Sequence, residues 1–347
     1  MANVLVTGGA GYVGCHVLGP LLAAGHQPVV VDNLSRGFPQ LVTQHGVPLV
    51  VADLADRGLL RALLHDYRID AILHFAALAY VGESTARPDI YYRTNTVEAF
   101  GLFEEAVAYR PANPPAVVFS STCAVFGVAD VLPIRESTPQ RPINPYGRSK
   151  LALEWMLKDL AIQHHFGAVI LRYFNAAGAD PLTGCGECHQ PETHLIPLAI
   201  AAVSSGEPLW IYGDDFDTPD GTAIRDFIHV CDLATAHVSA LNYLLAGGPS
   251  TDFNLGAGVG HSVRDVVRCV ERRVHRPVPV RVGRRREGDP PALVCDASKA
   301  REQLGWSPQH SSLDRIVADA LAWEQRCASG DGGWVPVPLD AAPARSR

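Results

Sequence analysis

The run Thr7-Gly8-Gly9-Ala10-Gly11-Tyr12-Val13-Gly14 constrains the fold of this chain more than any other segment. It follows a β-branched apolar stretch, Asn3–Thr7, and opens a helix-like one, Tyr12–Ala24. Glycines at 8, 11 and 14 then answer three needs: a tight turn, backbone approach to a pyrophosphate, and close packing of helix on sheet. The helix N-terminus offers free N–H groups and a positive dipole end to the phosphates. Asp32 closes the second apolar run, 18 residues past Gly14, where an acid bonds a ribose diol. An acid there repels a 2′-phosphate, so NAD is expected over NADP. Arg36 is the one neighbour that keeps NADP open.

Apolar runs of the same kind recur at Pro28–Asp32, Pro48–Ala52, Ala71–Phe75, Ala116–Ser121 and Ala168–Tyr173. They are continuous rather than alternating, the signature of strands buried on both faces. Helix-like stretches at Arg57–Tyr67, Tyr92–Ala108 and Pro145–His164 separate them. Strand–helix alternation predicts an α/β fold: a doubly wound parallel, Rossmann-like sheet. After Asn175 the chain turns rich in Gly, Pro, Asp and Thr, with helix candidates near Leu195–Ser204 and at 261–275 and a dense Arg/Gly/Pro loop at 283–292. A smaller mixed α/β C-terminal substrate domain is expected there. The expected division is 1–174 for the NAD-binding domain, 175–328 for the substrate domain, and 329–347 for a flexible tail. Residues 223–250 are expected to return to the first domain, because Asp226–Ala246 reads strand then helix.

Composition narrows the function. Lys+Arg number 29 against 36 Asp+Glu, a net charge of −7, which gives no global electrostatic case for nucleic acid. No apolar run approaches the ~20 residues of a membrane helix. The first residues lack the regions of a signal peptide, so a cytoplasmic protein with its eight cysteines reduced is expected.

Tyr146-Gly147-Arg148-Ser149-Lys150 carries the chemistry. Tyr146 and Lys150 are four apart and share one helix face. A phenol of pKa ~10 costs about 4 kcal/mol to ionise at pH 7. An adjacent ammonium and a cationic nicotinamide both favour the phenolate, which suits a general base towards a hydroxyl. Only three of the 29 basic residues are lysines, at 150, 158 and 299, so an ammonium at this position is not an incidental positive charge. Ser120-Ser121-Thr122 ends an expected strand, where ligands of doubly wound sheets bind. Arg225, Arg286 and Asp289 lie in later charged segments, and arginine forks grip diphosphates. His229 and His237 read as structural. Cys185-Gly186-Glu187-Cys188-His189 spells a c-type haem attachment pattern. Without an export signal or a second spaced ligand pair, it is expected to be a loop with two incidental thiols, and no metal site is expected.

In combination these segments resemble the UDP-glucose 4-epimerases, extended short-chain dehydrogenase/reductases, from about residue 2 to 327. Further motifs carry the resemblance: His74-Phe75-Ala76-Ala77, Val81-Gly82-Glu83-Ser84, Leu171-Arg172-Tyr173-Phe174-Asn175, His194-Leu195-Ile196-Pro197, Arg225-Asp226-Phe227-Ile228-His229 and Arg285-Arg286-Glu287-Gly288-Asp289. The resemblance implies a UDP-glucose/UDP-galactose 4-epimerase, an isomerase of galactose metabolism. Its C4 inversion would pass through a 4-keto sugar by transient hydride transfer to tightly held NAD. Tyr146 would be the base, Lys150 its tuning partner, and Thr122 the hydroxyl touching the sugar. The cofactor would be lined by Gly8, Gly11, Tyr12, Val13, Gly14, Asp32, Asn33, Asp53, Leu54, Phe75, Ala76, Ala77, Asn95, Ser120, Tyr173 and Phe174, besides Tyr146 and Lys150. Asn175, His194, Leu195, Trp210, Tyr212, Arg225, Arg286, Asp289 and Leu293 would hold the substrate together with Thr122. A homodimer packing the helices around Tyr92–Ala108 and Pro145–His164 is also implied.

The chain departs from the family at Ala79, where many members carry lysine, and at Thr122, where serine is commoner. Leu293 is bulky beside the sugar, so poor use of N-acetylated UDP-hexosamines is expected. A UDP-xylose/UDP-arabinose 4-epimerase is the nearest alternative reading, and a non-catalytic NAD-binding sensor a remote one. A 4,6-dehydratase is disfavoured, because Cys123-Ala124 follow Thr122 where it needs an acidic pair.

Overall fold

The structure, a computed structural model, describes residues 1–286 and 289–329. The tail expected at 329–347 lies, past Ser329, outside the described residues, as do Glu287 and Gly288. In chain order the strands of the first half are β1 (Asn3–Thr7), β2 (Gln27–Asp32), β3 (Leu49–Val51), β4 (Ala71–His74), β5 (Ala116–Thr122), β6 (Ala168–Tyr173) and β7 (Asn175–Ala177). The second half adds β8 (Leu209–Tyr212), β9 (Ile224–His229), β10 (Thr251–Leu255), β11 (Gly260–Ser262), β12 (Val280–Gly283) and β13 (Ala292–Leu293).

Seven strands form one sheet in the order β10-β6-β5-β4-β1-β2-β3. Every pairing in it is parallel. The chain winds outward through β2 and β3, then returns past β1 to β4. The order therefore reverses between β1 and β4, and beyond their carboxyl ends the helices part and leave a crevice. Thr7 and His74 are paired at that point.

Side chains alternate across the sheet as strand geometry demands. Val4 and Val6 enter a core shared with Leu171, Leu233 and Leu241; Leu5 enters the opposite core with Leu60, Phe103 and Leu153. The helix Val230–Leu245 closes the first face and Pro145–His164 the second. A third core joins Ile196, Ile200, Val266, Val270, Ile316 and Val317 from the helices Leu195–Ser205, Val263–Val274 and Leu313–Ser329. These cover a small sheet of β11-β9-β13 with β7 on β9; β8 and β12 pair separately.

The structure redraws several expected elements. Tyr12–Ala24 is two helices, Tyr12–His16 and Leu18–Ala23, broken at Val17. Pro20 has no N–H to give to the residue four before it, so the ladder is interrupted there. Tyr92–Ala108 begins earlier, at Pro88, and contains a π-helical stretch at Arg93–Glu98 before Ala99–Tyr109. The segment 226–246 divides between the two sheets: β9 joins the small one, whereas its helix packs on the large one. The far edge of the large sheet is β10, which no sequence pattern marked.

Candidate active site

The glycine turn is built by close contacts. Gly8 has φ +71°, and a side chain there would meet Ala76 N at 2.5 Å. A Cβ on Gly14 would lie 2.3 Å from Gly8 O. At Gly11, the residue capping the helix, a Cβ would meet only Gly8 O, at 3.3 Å. Gly8 and Gly14 thus satisfy the fold, and Gly11 leaves open backbone where a phosphate would approach. Asp32 accepts from Ala10 N at 3.0 Å and Leu34 N at 2.8 Å, one bond on each oxygen. Burial pushes its carboxyl above the usual range despite both bonds. Each oxygen keeps a lone pair for a ribose hydroxyl. Asn33 donates to Asp53 at 2.9 Å, closing the far end, and Leu54 is buried behind it.

Arg36 is not free to hold a 2′-phosphate. It pairs with Glu83 at 2.6 Å and lies 4.4 Å over the Tyr80 ring. Glu83 also accepts from the Tyr91 hydroxyl at 2.7 Å. Glu83 is thus an organising residue of this wall, and the Val81-Gly82-Glu83-Ser84 motif was the only hint of it.

Tyr146 and Lys150 occupy the first turns of Pro145–His164, where Pro145 starts the helix and Asn144 caps it onto Gly147 N at 2.8 Å. Both are nearly enclosed, at 9% and 3% exposed. Thr122, ending β5, lies near enough to Tyr146 to oppose the upward push on its phenol, and caps its own short helix through Ala124 N at 3.1 Å. Lys150 donates to Ser120 O at 2.9 Å and lies 4.9 Å from the Phe119 ring centre. Burial pulls the ammonium down to about 7, against the pull of Glu154. Burial likewise pushes the Tyr146 phenol upward, with Tyr173 adding and Thr122 opposing. In the cofactor-free cleft burial is the largest influence on this phenol, so ionising it calls for positive charge brought close to its oxygen.

Other expected cofactor residues divide by whether their polar atoms are already engaged. Asn95, 1% exposed, bonds Leu78 N and O at 2.8 and 2.9 Å and Ser149 at 3.2 Å. It fixes the turn after Phe75–Ala77. The Ser120 hydroxyl bonds His237 at 2.7 Å, and His237 packs 4.6 Å from Phe75. Burial lowers His237 to about 4, so it is a neutral structural support. His229 caps its helix onto Cys231 N and contacts Asp319 at 3.2 Å. Tyr12 donates to Gly178 O at 2.6 Å, tying the glycine turn to the segment beyond β7. Val13, Tyr173 and Phe174 pack against the first core.

The expected substrate residues gather in two places. Arg225, on β9, pairs with Asp289 and donates to Pro290 O at 2.9 Å; Leu293, on β13, is its strand neighbour. Trp210 and Tyr212 share the exposed face of β8, with Arg286 4.0 Å over the Tyr212 ring. Asn175 begins β7, and His194 and Leu195 begin the helix Leu195–Ser205.

The Cys185–His189 segment departs from expectation. Cys185 is buried in a small core with Cys15 and Trp323, and Gln44 donates to its sulfur at 2.9 Å. Glu187 and His189 do have partners, His194 and Glu192, which a spacing rule does not find because they come from the next turn of the same loop.

A buried tyrosine and lysine with a hydroxyl, beside a glycine turn at a sheet's switch point, suit proton exchange with an alcohol held against a dinucleotide. Known proteins share this sequence and fold. The family described as "NAD dependent epimerase/dehydratase family" matches residues 4–256. A UDP-glucose 4-epimerase of Azospirillum brasilense is 50% identical over 93% of this chain and 92% of its own. The UDP-glucose 4-epimerase of Brucella ovis, solved in complex with NAD, has a TM-score of 0.88 at 46% identity, covering 92% of this chain and 98% of that one. The Stenotrophomonas maltophila UDP-glucose-4-epimerase, with bound NAD and formylated UDP-arabinopyranose, has a TM-score of 0.91 at 37% identity, covering 95% and 100%. The chain belongs to the NAD dependent epimerase/dehydratase family.

Proposed function

We propose that this chain interconverts UDP-glucose and UDP-galactose by inverting C4 of the hexose. The observation that carries the reading is the enclosed Tyr146–Thr122 pair with Lys150 one helical turn on, at the carboxyl edge of the sheet. The residues fit NAD: Gly11 is open, Asp32 has free lone pairs, and Arg36 is paired with Glu83 through one terminal nitrogen. Gly8 to Gly14 would hold the pyrophosphate, Asp32 and Asn33 a ribose, Asp53 and Leu54 the adenine, and Phe75 to Ala77 with Tyr173 and Phe174 the remaining wall. When bound, NAD supplies a reversible electron-pair acceptor for C4.

The residues themselves handle the proton. Tyr146 Oη takes the proton of the C4 hydroxyl and returns it to the same oxygen after the sugar has turned its other face to the cofactor. Thr122 offers its hydroxyl to that sugar oxygen. Lys150 supplies the positive charge that offsets the desolvation of the phenolate. Arg225, Arg286, Tyr212 and Trp210 grip the UDP end, with Asn175, His194, Leu195 and Asp289 around it. Firm hold on the nucleotide and loose hold on the sugar let both faces of the ring meet one acceptor. Conversion of UDP-galactose to UDP-glucose by the purified chain, without added NAD and without net NADH, is the test. No conversion by a folded protein that retains NAD would overturn the reading.

UDP-pentoses remain a second reading, supported by the arabinose-bearing ligand of the Stenotrophomonas relative. UDP-xylose run in parallel separates the two. We also propose a homodimer: Val97, Trp155 and Ile162, on the two helical stretches expected at the interface, are 64%, 57% and 73% exposed. Light scattering at twice the chain mass supports it, and a monomer refutes it. No helix is long and apolar enough to cross a membrane among the described residues. All eight cysteines are unpaired, which suits the reducing cytoplasm we propose as its place of work. We divide the chain into an NAD-binding unit, 1–174 with the helix Val230–Leu245 and β10, and a substrate unit over the rest to 328.

A further inference from the structure

Glu187, His189, Glu192 and His194 bring one donor atom each to within 4.8 Å of all the others. Glu187 Oε1 lies 2.9 Å from His189 Nδ1 and 2.5 Å from His194 Nδ1. Glu192 Oε1 lies 3.0 Å from His194 Nδ1, and its other oxygen 3.8 Å from His189 Nδ1. The edges of a tetrahedral zinc site with such ligands are about 3.3 Å, the middle of this range. Once the imidazoles have given up any extra proton to the incoming ion, two carboxylates and two imidazoles balance one divalent cation in charge.

The ligands are held from behind, as metal ligands commonly are. Thr193 N and His194 N donate to Glu192 Oε1 at 2.6 and 2.8 Å. Trp323 Nε1 donates to Glu187 O at 2.7 Å. Glu187 is 7% exposed, a poor place for a carboxylate without a strong partner. The cluster also sits where it can matter. His189 packs edge-on against Tyr12 of the glycine turn at 6.2 Å and against Tyr80 at 5.6 Å, and His194 begins the helix Leu195–Ser205.

We propose that these four side chains form a site for one zinc ion, which staples the 187–194 segment across the glycine turn and the start of that helix. The site shares His194 with the residues proposed around the substrate, but it rests on its own geometry. Mixed nitrogen and oxygen donors in four-coordinate array select zinc, or cobalt as its substitute, over magnesium or calcium.

The test uses the full chain, without a polyhistidine tag, stripped by a chelator. Isothermal titration with zinc should give one ion per chain with a dissociation constant at or below the low micromolar range. The melting temperature should rise with zinc concentration. Cobalt in place of zinc should show the visible bands of four-coordinate geometry. His189→Ala and Glu192→Gln should each weaken binding by roughly tenfold or more. Circular dichroism checks that both variants are folded. Absence of stoichiometric binding at tens of micromolar zinc would sink the proposal and leave a hydrogen-bonded clasp of imidazoles and carboxylates. Binding left undiminished in the folded double variant would sink it too, by placing the zinc on other histidines.

Discussion

The reaction proposed for this chain rests on a phenol and an amine, and the same enclosure that positions them works against their charged forms. Tyr146→Phe removes the proton acceptor and should lower turnover by about 10²- to 10⁴-fold. NAD content and UDP affinity should stay unchanged, so the assay is turnover beside cofactor release and UDP titration. Lys150 gives a pH test with a definite sign. Burial brings its proton affinity from the ordinary 10.5 to about 7. Between those values the unfolded chain keeps a proton that the cofactor-free folded chain has lost, so this group's contribution to stability rises with pH across that window. Below about 7 the penalty for burying the ammonium is present in full. Lys150→Met should therefore melt higher than the parent at pH 6, and the gap should narrow towards pH 9.5. Melting curves of both cofactor-free proteins at the two pH values decide it, and a gap that widens with pH contradicts the account.

Among the elements, the glycine turn separates folding from binding. Gly14→Ala sets a methyl 2.3 Å from a backbone carbonyl, so the first helix must move off the sheet. A loss of a few kcal/mol is expected, of the size seen for overpacking. Gly11→Ala meets one atom at 3.3 Å and should leave the melting temperature of the cofactor-free chain nearly unchanged, yet shed NAD. Equal destabilisation by the two would show that Gly11 serves the fold alone. The helix Pro145–His164 has a second duty behind the site. Glu154 is fully buried against Arg172, at 2.7 Å, and accepts from Ser121 at 2.5 Å. Arg172 reaches Asp252 of β10 at 2.7 Å. Glu154→Gln leaves a buried guanidinium with Asp252 as its remaining ionic partner, and should cost roughly 3 kcal/mol in chemical denaturation. A neutral effect would mean that Asp252 alone carries the charge.

At the scale of the molecule, the selectivity proposed for this chain follows from two neighbouring strands of the small sheet, β9 and β13. Leu293 is buried on β13 beside Arg225, fixed there by pairing with β9. UDP-N-acetylglucosamine should be turned over poorly, and Leu293→Ala should raise its kcat/KM relative to UDP-glucose by about tenfold or more. Comparable use of both sugars by the parent chain would refute this. The first six strands and the glycine turn were legible in the sequence because each is local: continuous β-branched runs, glycines at fixed offsets, and a tyrosine and lysine one turn apart announce themselves within a few residues. β10 was not, since its place at the sheet edge depends on Asp252 meeting Arg172, 80 residues away in the chain. Nor was the engagement of Arg36 by Glu83, the diversion of Asn95 to Leu78 and Ser149, or the meeting of Glu187 with His194. By itself the sequence determined a dinucleotide-binding α/β fold and singled out the side chains proposed to do its chemistry. The tertiary structure alone decided which of those side chains are already spent on one another and how far enclosure moves their proton affinities, because both depend on groups brought together only when the chain folds.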